Sequence, residues 1–147
     1  MRFSDTTSIR APRERVWAFL VDPRKVGTCG PGVESVEVVD ETHFKARAKV
    51  GVGFIAARFN VSMHMLELEP PARAVLKAHG QAPGSAVDAT ATMTLSETPP
   101  GDITVMDWVA DVQISGALAS VGARMIEGTA RKMIAQTFDC IRLKLEA

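Results

Sequence analysis

The side chains best equipped for proton transfer, metal binding or nucleophilic attack in this chain are three histidines, two cysteines and a pair of aspartates four residues apart. His43, His64 and His79 fall at outward positions of alternating segments. No two of them have a spacing that sets both imidazoles on one metal ion, so no metal site is expected. Cys29 stands among glycines and a proline in Gly27-Thr28-Cys29-Gly30-Pro31-Gly32. A nucleophilic thiolate needs a base or a cation beside it. Arg24 and Lys25 are near in sequence but no histidine is, and the alternative is a small apolar plug at the mouth of a pocket. Cys140 falls within a helical pattern and reads as packing. Asp107 and Asp111 alternate with Trp108 and Ala110, which puts both carboxylates on the face opposite the apolar one. Paired acids divide acid and base roles where their environments differ, whereas on a solvated face they meet water or a neighbouring Lys or Arg. No catalytic residue is assigned.

Gly116, Gly122 and Gly128 do not form a phosphate loop, because no glycine-rich run follows a strand with the lysine such a loop requires. Their expected effect is close approach of a helix to the sheet, and a local opening that suits a pocket lid. The methionines carry more information. Met63, Met65, Met93, Met106, Met125 and Met133 fall on apolar faces. Methionine fills gaps in cores, and it also adapts to flexible apolar ligands. Trp108 adds a flat ring with one N–H donor, suited to stacking on a planar guest.

These residues must be positioned by one domain. The chain has 147 residues, 46% of them apolar and 23% charged, an ordinary globular composition. Seventeen basic residues balance seventeen acidic ones, a poor basis for nucleic-acid binding, which rests on phosphate neutralisation. The first residues, Met1 to Asp5, lack the basic-then-apolar layout of a signal peptide, and no apolar run approaches the ~20 residues of a membrane span. Two cysteines make neither a disulfide framework nor a metal spacing, so a reducing cytoplasmic setting is expected, with membrane contact at most peripheral.

Residues 2–9 alternate weakly and predict a first strand. Pro12 opens a helix carrying Val16, Trp17, Phe19 and Leu20, and Asp22-Pro23 ends it and caps a short second one. From residue 33 to about 114 the apolar period changes from 3.6 to 2. Phe44, Ala46, Ala48, Val50 and Val52 alternate with basic residues; Ile55, Ala57, Phe59, Val61, Met63 and Met65 follow beyond a Gly51-Val52-Gly53 turn. Further strands run through Ala74, Leu76 and Ala78, through Val87 to Leu95, and through Met106 to Ile114, separated by turn signals such as Pro99-Pro100-Gly101-Asp102. Residues 116–146 predict a long amphipathic helix, with Ile126, Ala130, Met133, Ile134, Thr137, Ile141 and Leu145 on one stripe and Arg124, Glu127, Arg131, Asp139, Arg142 and Glu146 opposite. The order is that of an α+β domain spanning 1–147, a curved antiparallel sheet closed by a C-terminal helix. Small inward residues, mostly Ala and Val, predict unfilled volume between them.

Several segments resemble the carbon monoxide dehydrogenase G-subunit family within the START-like (polyketide cyclase, SRPBCC) superfamily. They are Ile9-Arg10-Ala11-Pro12 with Val16-Trp17-Ala18-Phe19-Leu20 and Asp22-Pro23; Cys29-Gly30-Pro31-Gly32; Asp107-Trp108 with Ala110-Asp111; and Gly116 to Arg124. The family usually has a bulky apolar residue where this chain has Gly30, and some members carry a long membrane-binding C-terminal tail. The resemblance implies a helix-grip fold and an accessory, maturation or recruitment role around a molybdenum hydroxylase, with a lipophilic quinone or other lipid held without covalent or metal attachment.

The expected ligand set is Phe54 (or Ile55), Phe59, Met63, Met93, Met106, Trp108, Met125, Ile126 and Met133, with Cys29, Gly30, Pro31, Gly32, Gly51 and Gly53 at the mouth. A cyclase- or hydrolase-type enzyme needs an inward polar group, for which Thr129, Gln136 and Thr137 on the helix are the candidates, with Arg73 or Lys77 only if the strand register is off by one. The remaining alternative is a protein-binding chaperone with no ligand.

Overall fold

The computed structural model describes residues 1–146; Ala147, the last residue of the expected domain, lies outside the described residues. Strand β1 (Arg2–Ile9) leads into helix α1 (Arg13–Leu20) and helix α2 (Pro23–Val26), followed by a 3-10 turn at Gly27–Cys29. Six more strands follow: β2 (Val33–Val38), β3 (His43–Val52), β4 (Ile55–Glu69), β5 (Arg73–Ala82), β6 (Ser85–Thr98) and β7 (Ile103–Gly116). A second 3-10 turn, Ala117–Val121, leads into helix α3 (Ala123–Leu145). Asp22 caps α2 as its sequence predicts, its carboxylate accepting the Arg24 N–H at 3.0 Å.

All neighbours in the seven-stranded sheet are antiparallel, in the order β1-β7-β6-β5-β4-β3-β2. The meander is as expected, and the first strand closes it by pairing along β7, Arg2 opposite Asp111 and Ile9 opposite Thr104. Helices α1 and α2 therefore carry the chain from one edge of the sheet to the other. The arrangement of a curved sheet gripping a terminal helix is the expected one.

Helix α3 begins seven residues later than its pattern predicts. Gly116 and Gly122 have φ of +80° and +95°, values that end any right-handed helix, and they bracket the 3-10 turn instead of lying inside the helix. Gly116 is also needed sterically: a Cβ there would stand 2.1 Å from the Gly84 carbonyl oxygen. Of the three glycines only Gly128 is helical, and the 23-residue α3 is about 35 Å long. No helix among the described residues is long and apolar enough to cross a membrane.

The core is divided. One cluster gathers Ile9, Ala11, Val16, Trp17, Phe19, Leu95 and Met106 around Ile141 and Leu145 of α3. The other gathers Val52, Phe59, Ala82 and Leu118 around Ile126. Helix α3 is thus anchored at both ends, by residues fifteen positions or about 22 Å apart. Its middle, at Ala130, Met133 and Ile134, is only partly buried and joins neither cluster.

Candidate functional site

The register fixes what the sheet presents beneath the middle of α3. Ala110 pairs with Ala91, which pairs with Leu76; one row on, Val112 pairs with Ala89, Ala89 with Ala78, and Ala78 with Met63. Four alanines therefore sit together at the centre of the apolar face. They and Met63 are partly buried and belong to neither core cluster. Between the two packed ends of α3 the sheet therefore presents small side chains rather than large ones.

Seven of the nine expected ligand residues lie on this inner side. Phe59 and Ile126 are buried in one cluster and Met106 in the other, with Met93 and Trp108 packed against the second. Met63 and Met133 occupy the stretch between. Phe54 and Met125 are corrections. Phe54 is 83% exposed at the tip of the β3–β4 hairpin, because Val52 pairs with Ile55 and the two residues between them form the turn. The inward position belongs to Ile55, which packs on the Phe59 cluster. Met125, 51% exposed, is one helical step off the buried stripe and lies over the Gly53 turn, where a Cβ would meet its Cγ at 3.5 Å.

The expected mouth also differs. Cys29 and Cys140 are joined by a disulfide across 111 residues, with Cα atoms 5.4 Å apart. The expectation of two unrelated thiols is corrected: no local spacing signals a bond between a loop and a helix so distant in sequence. Cys29 is buried and covalently committed, and Gly30 and Pro31 beside it are partly buried. Gly32, with φ +79°, accepts the Lys49 N–H at 2.9 Å. The loop is tied to α3 at one end and to β3 at the other, which makes it a fixed wall rather than a mobile lip. Gly51 is exposed within β3 and Gly53 is in the hairpin turn, so these two stand apart from that wall.

Sequence reasoning passed over a cleft of about 330 Å³ between β1 and α3. Phe3, Asp5, Thr7, Trp108, Arg131, Ile134, Phe138, Asp139 and Arg142 line it. Asp5 is opposite Trp108 in the register and shares the parity of the buried Phe3, Thr7 and Ile9, so β1 turns a carboxylate toward the helix side. The signal was legible as one acid in an otherwise inward row. Trp108 stacks on Phe138 with centroids 5.9 Å apart and planes 22° apart, and its Nε1 is buried with no hydrogen-bond partner. Arg142 reaches back from its expected solvated face to donate to the Thr7 hydroxyl, and holds Asp139 at 3.4 Å. Arg131 pairs with Glu127 at 2.9 Å and lies over the Phe3 ring at 5.8 Å. A second, more open cleft of about 600 Å³ adjoins the start of α3 at Val121, Arg124, Met125 and Lys132. Of the polar helix candidates, Thr137 donates to the Met133 carbonyl at 2.8 Å, Thr129 is partly buried and Gln136 is exposed.

The outer face carries the ionisable groups much as expected. Asp111 bonds Arg2 at 2.8 Å, which lowers the Asp111 pKa, and Asp107 accepts from the Thr6 hydroxyl at 2.5 Å. His79 shares a 2.6 Å hydrogen bond with Asp88, and this bond is the main cause of its raised pKa. His43 and His64 face each other across β3 and β4 and stack at 4.1 Å. Among the described residues no three His, Cys, Asp or Glu side chains are grouped to hold a metal.

With this geometry in view, the likenesses to known proteins are extensive. The sequence model of the carbon monoxide dehydrogenase G subunit (CoxG) matches residues 6–146. A conserved protein from Geobacillus kaustophilus superposes with a TM-score of 0.91 at 22% identity, covering 99% of this chain and 95% of that one. The Zhui aromatase/cyclase from Streptomyces sp. R1128 gives 0.73 at 16% identity, covering 99% and 93%. A START superfamily protein from Mycobacterium smegmatis gives 0.74 at 11% identity, covering 99% and 97%. No curated protein matches the chain. At these identities the structures show the fold, which is START-like.

Proposed function

The chain belongs to the carbon monoxide dehydrogenase G-subunit (CoxG) family, and on that premise we propose that it binds a lipophilic, planar small molecule such as a quinone and serves a molybdenum hydroxylase as an accessory protein. What supports the binding half is the divided core. Two packed clusters hold α3 at its ends, while small side chains, mostly alanine, occupy the facing sheet positions between them. Ligand pockets are typically apolar, about 300–1,000 Å³ and marked by a few placed polar groups. The β1–α3 cleft, about 330 Å³, falls in that size range, with Phe3, Trp108, Ile134 and Phe138 among its lining beside Asp5, Thr7, Arg131, Asp139 and Arg142. Burial at about 25 cal/mol per Å² makes micromolar binding of a bicyclic ring readily attainable.

The accessory half comes from the family alone. The disulfide bears on where a partner is met, since such bonds persist in oxidising surroundings and are rare in the cytosol. A cytoplasmic role therefore implies that Cys29 and Cys140 are reduced there. Organic-solvent extraction of the purified protein, followed by mass spectrometry, tests the binding half. A co-purifying quinone or lipid in near-stoichiometric amount is the expected result; an extract without one, together with no binding of added naphthoquinone by calorimetry, refutes it. Pull-down against a purified molybdenum hydroxylase tests the accessory half separately.

A further inference from the structure

We propose that the end of the domain formed by the β3–β4 turn and the start of α3 docks on a bilayer surface containing anionic lipid. The contact is made by the folded domain itself and does not depend on what the domain holds inside.

The antiparallel register brings three turns to one end of the sheet. Val52 pairs with Ile55 across the β3–β4 turn, Ala82 pairs with Ser85 across the β5–β6 turn, and the Ala117 N–H donates to the Gly84 carbonyl at 2.8 Å. The helix start joins them, since a Cβ on Gly53 would meet the Met125 side chain at 3.5 Å. Two large apolar side chains stand out from this end: Phe54 is 83% exposed and Met125 51%. The exposed positions around them are small, with Ala56, Pro83, Ala117, Ala119 and Ala123 among them.

Charge is distributed unevenly although the chain is neutral overall. Segments 47–60, 80–87 and 112–126, which run to and from this end, contain Arg47, Lys49, Arg58 and Arg124 and no acidic residue. Lys132 adds a further cation on the open cleft beside Met125. The nearby carboxylates of Glu34 and Glu127 are held by Arg58 and Arg131. Lys49, Arg124 and Lys132 are exposed and have no ion-pair partner among the described residues. The turns at the opposite end, within 37–43, 65–73 and 95–104, carry seven carboxylates and one guanidinium, Arg73. Residues 10–15 beside them add three arginines and one glutamate, which leaves that end negative.

An anionic surface therefore attracts one end of the molecule and repels the other, which fixes its orientation. Each cation brought close to such a surface is worth about fivefold in partitioning. An aromatic ring and a methionine flanked by cations suit the headgroup boundary, where apolar groups bury and the charges stay level with the phosphates. An acidic protein would need a pocket shaped for Phe54, whereas the bilayer interface takes the ring without one.

Co-sedimentation of the full chain with lipid vesicles tests this. Binding to phosphatidylcholine vesicles with about one-third phosphatidylglycerol should be about tenfold or more stronger than to phosphatidylcholine alone. It should collapse as salt rises from about 0.1 M to about 1 M. Phe54→Ser should weaken it about tenfold, and Arg124→Gln with Lys132→Gln about twenty-five-fold. Leu143→Ser is the control, because that leucine is 76% exposed in the last turn of α3, away from this end, and its loss should leave binding unchanged. Phe54→Trp gives a direct readout: its fluorescence should shift to the blue with anionic vesicles, beyond any change in the wild-type protein. Equal binding to both vesicle types, binding to neither, equal loss from Phe54→Ser and Leu143→Ser, or an unshifted Phe54→Trp spectrum would overturn the proposal. None of these outcomes bears on the interior ligand, which extraction and calorimetry test separately.

Discussion

Reducing the Cys29–Cys140 bond is the perturbation whose size follows most directly from the structure. The bond closes a loop spanning 111 positions. In the chain-entropy account, cross-linking a loop of that length removes about 16 cal/mol/K from the unfolded ensemble, or about 4.8 kcal/mol at 25 °C. Bridges commonly deliver less, so the expected loss lies between about 2 and about 5 kcal/mol. For a chain of this length the unfolding entropy is about 0.3 kcal/mol/K, so Tm should fall by about 6–15 °C. The comparison uses oxidised and reduced wild-type protein, because both retain every atom of the buried sulfurs and no cavity is created. Urea unfolding followed by far-ultraviolet circular dichroism, with and without dithiothreitol, gives the difference. Cys140→Ala serves as the control that dithiothreitol must not affect. The same bond anchors the 27–32 loop to α3, so hydrogen exchange of the loop amides should quicken on reduction. Two free thiols titrated in protein purified without reductant, with identical urea midpoints in both states, would show that no such bond constrains the chain.

Further outcomes follow from particular residues. Ile141→Ala, at a site only 2% exposed in the larger cluster, should cost about 2–5 kcal/mol in urea unfolding; Phe54→Ser, at the hairpin tip, should stay within about 0.5 kcal/mol. Gly116→Ala should destabilise by more than about 1 kcal/mol, because its φ of +80° and its contact with the Gly84 carbonyl both reject a Cβ. Asp40 accepts N–H bonds from Thr42 and His43 and a ring N–H bond from His43, and its pKa is lowered to about 2, the Thr42 bond contributing most. Its contribution to stability is thus complete above about pH 4, the ordinary aspartate range, and lost as pH falls toward 2; carbon-detected NMR titration should find its midpoint well below the ordinary aspartate range. His79 is shifted the other way by Asp88, so its contribution is complete below its ordinary pKa of about 6.5 and fades as pH rises through the folded value; Asp88→Asn should return the His79 titration toward the ordinary range.

The sequence by itself determined the elements and their faces. A period of 2 across residues 33–114 and a period of 3.6 beyond 122 are consequences of local backbone geometry, so Phe59, Met106, Trp108 and Ile126 could be placed inward, and Asp107 and Asp111 outward, before any coordinates. Where local geometry changes hands, periodicity no longer sets the direction of a side chain. At Phe54 the turn, not the strand, sets the side chain's direction, and at Gly116–Gly122 positive φ angles displace the helix start. What only the tertiary structure decided are the relations between distant segments: Cys29 with Cys140, β1 with β7, Asp5 with Trp108, and Arg142 with Thr7. Periodicity fixes which way a side chain points from its own backbone. It carries no information about what stands opposite, because that distance is set by how the sheet curves and how far the two packed ends hold the helix away from it.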